Sequence, residues 1–497
     1  MRAWSRHFIC AAIVIGLFTL VRISPAQTGE LQFKPFVKVE PGEPDPDARF
    51  RIVGGQHLYF SIDYPSGRMS GGESMAVFSE ETGGKTSPSF DEVIIQDRDD
   101  YGVPVVCRGV LQLGEEYYGY VLDKGPVEGP TKRHAYAQLP YTENPIESFT
   151  YSRLYLDFNH NGDLTDEEPL DAVAFPERGG SACIFPELSL QLRAAGEKYE
   201  SAFTLVTLTN VHQYAIDVNC SLKCTGYREG EIVLEGKHRR VVLVDSNANG
   251  RYDDQASLYP IEITDGRLIV HPGDMFYIDP HPKASNLLGP DGGNDQFFVS
   301  NLIHFEETIY DVVISPSGKQ LSLTPSDSPT GFAENPNTPY ALYLWGDKGM
   351  FTVTSDALGR AKLPVGEWRI TNYMLNRSDE TNTEEAPTSV DEMMDSLTML
   401  AGSQKDPQLF VVQENETIQL AFGGPFRPVV TLKDIRYSYS AAFGPPEPGS
   451  IGLSMTLYGI AGDQCDTLMI SGEKPPPEFT ITTPEGEFIK SGVFEYG

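Results

Sequence analysis

Short apolar runs separated by clusters of glycine, proline, asparagine and aspartate recur along most of this chain. HLYFSIDY, EEYYGYVL and SRLYLDF are typical examples. These runs are too short for helices, they lack helical periodicity, and turn-forming residues bound each of them. The pattern predicts a mainly β protein made of several tandem β-sandwich or barrel-like domains.

One stretch departs from this pattern. Residues 376–406 form a polar insert, and its Val390–Leu400 portion follows Thr388 and Ser389, which are residue types that cap helices. We therefore expect one short helical insert in an otherwise β fold, with the polar half of the insert forming a loop.

Shifts in composition predict the domain boundaries. A basic N-terminus followed by an apolar run predicts a signal peptide, and the acidic, proline-rich stretch after it predicts an extended tether. The predicted segments are a signal peptide at 1–26, a linker at 27–50, a β domain with a first oxygen-rich loop at 51–194, a β domain with a second at 195–327, a β-sandwich at 328–422 and a C-terminal β segment at 423–497.

The signal peptide predicts that the mature protein is secreted, periplasmic or at the cell surface. Its apolar run from Phe8 to Val21 is short for a membrane span, and Arg22 ends it. We expect cleavage after Ala26; retention as a membrane anchor is the alternative. No later segment of the sequence is long and apolar enough to predict a transmembrane span.

The chain is strongly acidic, with a formal charge of −32 from 70 acidic and 38 basic residues. Nucleic-acid binding needs clustered lysine and arginine, so we expect no nucleic-acid partner. Converging carboxylates suit divalent cations, which screen their mutual repulsion.

The cysteines predict no redox or zinc chemistry. Cys220 and Cys224 lie on one face of a predicted strand. They form either a structural disulfide or two buried thiols, and the sequence does not decide between these alternatives. A zinc site would need a second cysteine pair or a nearby histidine. The cysteines outside the signal peptide, whose pairing the sequence leaves open, are Cys107, Cys183, Cys220, Cys224 and Cys465.

The stretch LYLDFNHNGDLTDEEPL, residues 154–170, begins as a strand and ends in oxygen-bearing side chains. It fits the calcium-loop pattern D-x-[DN]-x-[DN]-G-x5-E. A calcium ion takes about six to eight oxygens, which alternate side chains supply as the backbone winds around it, and the glycine allows the sharp turn. The predicted ligands are Asp157, Asn159, Asn161, Asp163, Thr165 and Glu168.

The stretch VVLVDSNANGRYDD, residues 241–254, repeats the core of this pattern. Position twelve is Ala256, so Asp253, Asp254 or an acid from elsewhere has to complete the shell. One D-x-N-x-N-G arises by chance in roughly one of several hundred such sequences, so two copies favour calcium over metal-free Asx-turn hairpins. The predicted ligands are Asp245, Asn247, Asn249, the carbonyl of Arg251, and Asp253.

The two loops resemble EF-hand calcium loops, but the residues before each of them look like strand. In this respect they are similar to the strand-flanked loops of dockerins, integrin-type repeats and thrombospondin-type repeats. The resemblance covers the loops alone. It implies that calcium braces the structure, with dissociation constants of roughly 10⁻⁴ to 10⁻³ M.

A further resemblance lies in SDALGRAKLPVGEWRI, residues 355–370. It looks like the strand-turn-strand hairpin of transthyretin-like modules, a class that includes carboxypeptidase regulatory-like and collagen-adhesin B-type domains. The resemblance implies a transthyretin-like β-sandwich around 338–422 that acts as a spacer or binding platform. The matching residues are Asp356, Gly359, Leu363, Pro364, Gly366 and Trp368.

The sequence carries none of the common catalytic motifs that would identify an enzyme, such as G-x-S-x-G, H-E-x-x-H or a P-loop. We therefore expect an exported calcium-binding β protein whose ions are structural and whose surface serves adhesion or interaction with an extracellular protein or polysaccharide. The alternative is a secreted hydrolase that acts on polysaccharide or protein, with calcium supporting its fold.

Overall fold

The described residues form almost only β structure, which confirms the predicted fold class. Residues 1–25 of the predicted signal peptide lie outside them, and within them no helix is long and apolar enough to cross a membrane. The computed structural model describes residues 26–38, 45–48, 50–51, 56–63, 69–70, 88–102, 106–128, 149–175, 179–211, 215–260, 268–271, 273–280, 295–337, 340–376, 397–402, 409–433, 452–470 and 476–494.

A nearly closed, barrel-like sheet organises the N-terminal part of the fold. Its strands are β1 (Gln27–Pro35), β13 (Gly226–Leu234), β14 (Lys237–Val244), β17 (Met275–Ile278), β18 (Gln296–Phe298), β19 (Leu302–Phe305), β20 (Thr308–Ile314) and β21 (Gln320–Pro325). They are ordered β18-β17-β14-β13-β1-β21-β20-β19. The end strands β18 and β19 are close in sequence, and Phe297 and Phe305 bring their ring centroids to 6.1 Å. We call residues 296–305 the seam.

Residues 27–35, predicted as part of a tether, instead form strand β1 in the middle of this sheet. Its first half pairs with β21 and its second half with β13, so both of its edges are hydrogen-bonded. The segment QTGELQFKP alternates polar and apolar residues in the strand period, and Leu31 is buried. The linker prediction is therefore wrong for these residues.

The strands between β1 and β17 also form two further sheets and a hairpin. One sheet follows the order β3-β2-β12-β11-β9-β8, with β10 beside β11, and the other the order β4-β5-β6-β7. The bounds are α1 (Phe90–Val93), β2 (Gln56–Asp63), β3 (Met69–Ser70), β4 (Cys107–Leu113), β5 (Glu116–Glu128), β6 (Phe149–Leu156), β7 (Leu170–Asp171), β8 (Val173–Phe175), β9 (Gly179–Ile184), β10 (Leu188–Ala194), β11 (Glu197–Val211), β12 (Ala215–Cys224), and the hairpin β15 (Ser257–Pro260) with β16 (Leu268–His271).

The segments predicted as separate domains at 51–194 and 195–327 share one hydrophobic core. Buried side chains from both of them, such as Leu111, Tyr151, Phe203 and Leu243, belong to one cluster. The expected boundary at 194/195 falls in the tight turn between β10 and β11, and the whole of β10 pairs with the first half of β11. The short apolar runs predicted β structure here, but they carried no information on which strands pack together.

The C-terminal strands form a second core. The order β24-β23-β26-β27-β32-β31-β30, with β28 beside β26, makes one sheet, and β25-β22-β29 makes a smaller one. The bounds are β22 (Thr330–Glu334), β23 (Tyr340–Gly346), β24 (Gly349–Thr354), β25 (Arg360–Pro364), β26 (Gly366–Asn376), β27 (Leu397–Gly402), β28 (Leu409–Val412), β29 (Thr417–Gln419), β30 (Arg427–Lys433), β31 (Gly452–Tyr458), β32 (Gln464–Ile470), and the hairpin β33 (Glu478–Thr482) with β34 (Phe488–Val493).

The stretch that resembles a transthyretin-like hairpin forms both expected strands, but they belong to different sheets. Strand β25 pairs with β22, whereas β26 pairs with β23, β27 and β28. The buried Trp368 indole donates a hydrogen bond to the Pro364 carbonyl at 2.9 Å, close to the point where the chain crosses between the sheets. The segment is therefore a crossover between sheets, and the family resemblance stays a prediction.

The helix predicted at 390–400 is wrong over its last residues. Leu397–Gly402 is strand β27, which pairs with β26 on one side and β32 on the other. Hydrogen bonding to two neighbouring strands overrides the local helical preference of this segment. Residues 390–396 lie outside the described part of the chain, and the described helix is the short α1.

Candidate calcium loops

The two oxygen-rich loops each begin directly after a strand. Loop 1, residues 157–168, follows β6 and precedes β7; loop 2, residues 245–256, follows β14 and precedes β15. The predicted strand flanks are thus confirmed, and no EF-hand helix precedes either loop in the described residues. Position one of each loop is its first aspartate, Asp157 or Asp245, and position twelve is Glu168 or Ala256.

The first aspartate has the same role in both loops. Asp157 and Asp245 are 1% and 3% exposed. Each carboxylate accepts the backbone N–H groups of positions five and six, at 3.2 and 3.1 Å in loop 1 and at 3.3 and 2.8 Å in loop 2. Both oxygens of Asp157 and the Oδ1 of Asp245 keep a second lone pair for a cation, whereas Asp245 Oδ2 also accepts the Cys224 thiol. The backbone of both loops therefore wraps around a buried acid.

Position ten is also used identically, by Asp166 in loop 1 and Asp254 in loop 2. One oxygen of each aspartate accepts the side-chain amides of positions three and five. The donors and their distances are Asn159 at 3.5 Å and Asn161 at 2.8 Å in loop 1, and Asn247 at 3.1 Å and Asn249 at 2.6 Å in loop 2. The side chains of positions one, three, five and ten thus converge on one region in each loop.

The glycine at position six is required by both conformation and space. Gly162 and Gly250 have φ of 73° and 82°, in the left-handed region. A Cβ atom would lie 2.8 Å from the Val93 carbonyl oxygen in loop 1 and 3.0 Å from the Gly114 backbone nitrogen in loop 2. The D-x-N-x-N-G pattern therefore reflects one backbone conformation formed twice.

Position eight anchors each loop to the protein. Leu164 and Tyr252 are fully buried. The N–H of Leu164 donates to the Gln96 carbonyl at 2.9 Å, and that of Tyr252 to the Pro316 carbonyl at 3.1 Å. In both loops, a segment distant in sequence thus accepts the hydrogen bond of the anchoring residue.

The segment that follows α1 covers loop 1. The N–H groups of Ile95 and Gln96 donate to the Gly162 carbonyl at 2.8 and 2.9 Å. The Arg98 guanidinium lies over the Tyr155 ring and contacts the carbonyl oxygens of Leu164 and Thr165, each at 3.4 Å. Even so, Asn159, Asn161 and Asp166 stay exposed to solvent.

Loop 2 is enclosed more fully. The Tyr199 hydroxyl donates to the Gly250 carbonyl at 2.6 Å, and the Cys224 thiol donates to Asp245 Oδ2 at 3.3 Å. Asn247 is only 8% exposed. The one cationic side chain of the loop itself, Arg251, pairs with Asp253 at 2.8 Å.

A further acid holds position two of each loop. In loop 1, Glu167 Oε1 accepts the N–H groups of Phe158 and Asn159 at 2.9 and 3.4 Å. In loop 2, the corresponding acid is Asp274, which precedes β17 and accepts the Ser246 N–H at 3.0 Å. The backbone N–H of position two thus finds a carboxylate acceptor within loop 1, whereas in loop 2 the acceptor is the residue that precedes a neighbouring strand.

Burial and like charge raise the pKa values of Asp245 in loop 2 and of Asp274 beside it. Burial, with the charge of Asp254, raises the pKa of Asp245 to about 7. Burial, with the charges of Asp254 and Asp245, raises the pKa of Asp274 well above its ordinary value. In loop 1, burial raises the pKa of Glu167. Acids that resist ionisation in this way would be relieved by a bound cation.

The remaining predicted side-chain ligands, Asp163, Thr165, Asp253 and Glu168, differ in their burial and in their hydrogen-bond partners. Asp163 Oδ1 accepts the Thr165 hydroxyl at 2.6 Å. One oxygen of Asp253 bonds Arg251, and the other is buried without a hydrogen-bond partner among the described residues. Glu168 is exposed, and Ala256 at the equivalent position of loop 2 is buried.

Across the described residues, no three His, Cys, Asp or Glu side chains converge closely enough to form a metal cage by themselves. The loops also present asparagine amides and backbone carbonyls, which are oxygen ligands of the kind that calcium accepts.

Sequence reasoning missed Asp166, Glu167 and Asp274. The position-ten aspartate was visible in principle, because the aligned loops both carry it. Asp274 is separated from loop 2 along the chain and belongs to no motif, so only the fold reveals it.

Cys107, Cys183, Cys220 and Cys224 are free thiols. This resolves the alternatives left open for Cys220 and Cys224 in favour of thiols. Burial raises the pKa of both groups. They are therefore poor nucleophiles.

Comparisons of the chain with protein-family models, with curated proteins and with solved structures give no match.

Proposed function

We propose that this chain is an exported calcium-binding β protein in which loops 1 and 2 each hold one structural calcium ion. The observation that carries the proposal is the repetition of one arrangement in two unrelated places. Positions one, three, five, six, eight and ten play the same part in both loops, although the surrounding strands differ.

Electrostatics supports a cation at these places. Loop 2 gathers Asp245, Asp253, Asp254 and Asp274, and Arg251 pairs with one of them. Buried charges are costly unless they are paired or bind a metal. A divalent ion would compensate the remaining carboxylates and would use the lone pairs that the backbone N–H groups leave free.

The biological role that fits best is interaction or adhesion outside the cytoplasm, with the ions bracing the loops. The support is the predicted signal peptide and the acidic surface implied by the charge of −32. Extracellular calcium is about millimolar, which matches the affinity range of extracellular modules. An extracellular protein or a polysaccharide is the proposed class of partner.

Thermal unfolding of the mature chain tests the calcium proposal. We expect the melting temperature to rise between excess EDTA and about 1 to 10 mM CaCl₂, because a ligand that binds only the folded state stabilises it. Asp157→Ala and Asp245→Ala should each remove part of that rise, and the double variant should remove all of it.

Magnesium at equal concentration is the matched ionic control. It prefers a smaller octahedral shell with several waters, so it should produce a smaller rise than calcium. Equal melting temperatures of the native chain in EDTA and in calcium would overturn the proposal and leave both loops as metal-free turns.

A further inference from the structure

Asp274 accepts hydrogen bonds from two separate positions of loop 2. It is fully buried. Its Oδ1 accepts the Ser246 N–H at 3.0 Å and its Oδ2 accepts the Asp254 N–H at 3.0 Å. One carboxylate thus ties position two of the loop to position ten, and both of its oxygens are engaged in doing so.

The backbone of Asp274 continues this connection into the barrel-like sheet. Its N–H donates to the Asp254 carbonyl at 2.8 Å, and its own carbonyl accepts the Val299 N–H at 2.8 Å. The Val299 carbonyl in turn accepts the N–H of Ala256, at the end of loop 2, at 3.3 Å. Val299 lies in the seam, and β17 begins directly after Asp274.

Loop 1 has no such connection through its corresponding acid. Glu167 belongs to the loop itself and uses a single oxygen, Oε1, for the N–H groups of Phe158 and Asn159. The acid therefore stabilises loop 1 locally, whereas Asp274 connects loop 2 to a different strand.

We propose that Asp274 is a positioning residue of loop 2 and that, through it, calcium binding stabilises the seam of the barrel-like sheet. The inference rests on the proposed calcium function. Asp274 holds the backbone of Asp254, and Asp254 orients the amides of Asn247 and Asn249. An ion that orders loop 2 thereby orders Asp274, and with it β17 and the seam.

Calcium titration of Asp274→Asn tests the positioning role. The asparagine keeps the shape, but its amide nitrogen cannot accept an N–H, so one of the two hydrogen bonds is lost. In an Asp157→Ala background, where loop 2 is the remaining site, affinity should fall about 10- to 100-fold, as for other residues that orient metal ligands. The exposed Asp327→Asn is the charge-matched control and should leave affinity unchanged.

Hydrogen exchange tests the connection to the seam. In the native chain, calcium should slow amide exchange in 275–278 and 296–305, and Asp274→Asn should abolish that calcium dependence. Exchange in β31, which pairs with β30 along its length, should not depend on calcium in either protein, and its preserved protection shows that the variant is folded.

Two results would overturn the inference in different ways. If the native chain binds two calcium ions while Asp274→Asn matches it in affinity and in seam exchange, Asp274 has no positioning role and the calcium proposal stands. If the native chain binds no calcium, both proposals fail together.

Discussion

Loops 1 and 2 share one internal geometry but lie in different surroundings. In loop 1 the asparagines and Asp166 face solvent, and its anchor Leu164 joins a small cluster with Ile94, Val121 and Tyr155. In loop 2 the corresponding residues are largely enclosed, and its anchor Tyr252 belongs to the main hydrophobic core. The same motif therefore forms once beside a small cluster and once against the main hydrophobic core.

This difference shows that the motif specifies local geometry, whereas the packing around a loop decides how much that loop contributes to the stability of the protein. An ion in loop 1 would reinforce the contact with the segment after α1. An ion in loop 2 would compensate buried carboxylates next to the barrel-like sheet. We therefore expect loop 2 to dominate stability and loop 1 to exchange its ion more freely.

The largest expected difference between the two loops is the loss of stability when the side chain at position eight is truncated. In excess EDTA, Tyr252→Ala should lower the free energy of unfolding by about 3–5 kcal/mol and Leu164→Ala by about 2–3 kcal/mol. Tyr252 is the larger side chain, and the Arg228 guanidinium packs over its ring with a centroid distance of 5.0 Å. Urea unfolding measures both values.

Leu358→Ala is the matched control for these anchors, because Leu358 is 88% exposed. It should change the free energy of unfolding by less than about 0.5 kcal/mol. Equal losses for Tyr252→Ala and Leu164→Ala would contradict the unequal weight assigned to the two loops.

The rates of calcium release from loops 1 and 2 should differ by about tenfold, which corresponds to a difference of about 1.4 kcal/mol in the activation free energy. Asp245→Ala leaves loop 1 as the binding loop, and Asp157→Ala leaves loop 2. Mixing each calcium-loaded variant with a fluorescent chelator in a stopped-flow instrument gives the two release rates. Loop 1 should release faster, because water reaches Asn159 and Asn161. Slower release from loop 1 would reverse the comparison.

A smaller effect is expected at position twelve. Glu168→Ala gives loop 1 the residue that loop 2 has there, and should weaken calcium binding by up to about tenfold, or about 1.4 kcal/mol. The measurement is a calcium titration in the Asp245→Ala background. Unchanged affinity would remove Glu168 from the predicted ligands and leave Asp166 as the acid that closes the shell.

The reverse change, Ala256→Glu, should not strengthen calcium binding by loop 2. Ala256 is 5% exposed, and its N–H is bonded to the Val299 carbonyl. A glutamate there would bury a charge, so we expect a loss of stability rather than a gain in affinity. The loops are therefore not interchangeable by editing the motif alone.

Local features of this protein follow from its sequence, and long-range ones do not. Short apolar runs predicted the strands before each loop, and the D-x-N-x-N-G spacing predicted two turns of one conformation. Partners distant in sequence were invisible to these patterns. Strand β1 was hidden beside a proline-rich stretch, because its pairing with β13 and β21 depends on residues about 200 to 300 positions away.

The candidate site shows the same division. Asp157 and Asp245 could be predicted because calcium loops require a first acid at a fixed spacing from the glycine. Asp274 could not, since its position beside Ser246 and Asp254 results from the pairing of β14 with β17. The helix predicted at 390–400 failed for a related reason, because neighbouring strands on both sides of β27 decide the conformation of its last residues.

Calcium stoichiometry at equilibrium tests the central claim most directly. Isothermal titration or equilibrium dialysis of the mature chain at about 1 to 10 mM calcium covers the affinities of extracellular sites. The account predicts two ions bound in loops 1 and 2, one fewer in each of Asp157→Ala and Asp245→Ala, and loss of both in the double variant. Binding that is absent from the native chain, or unaffected by these substitutions, would contradict it.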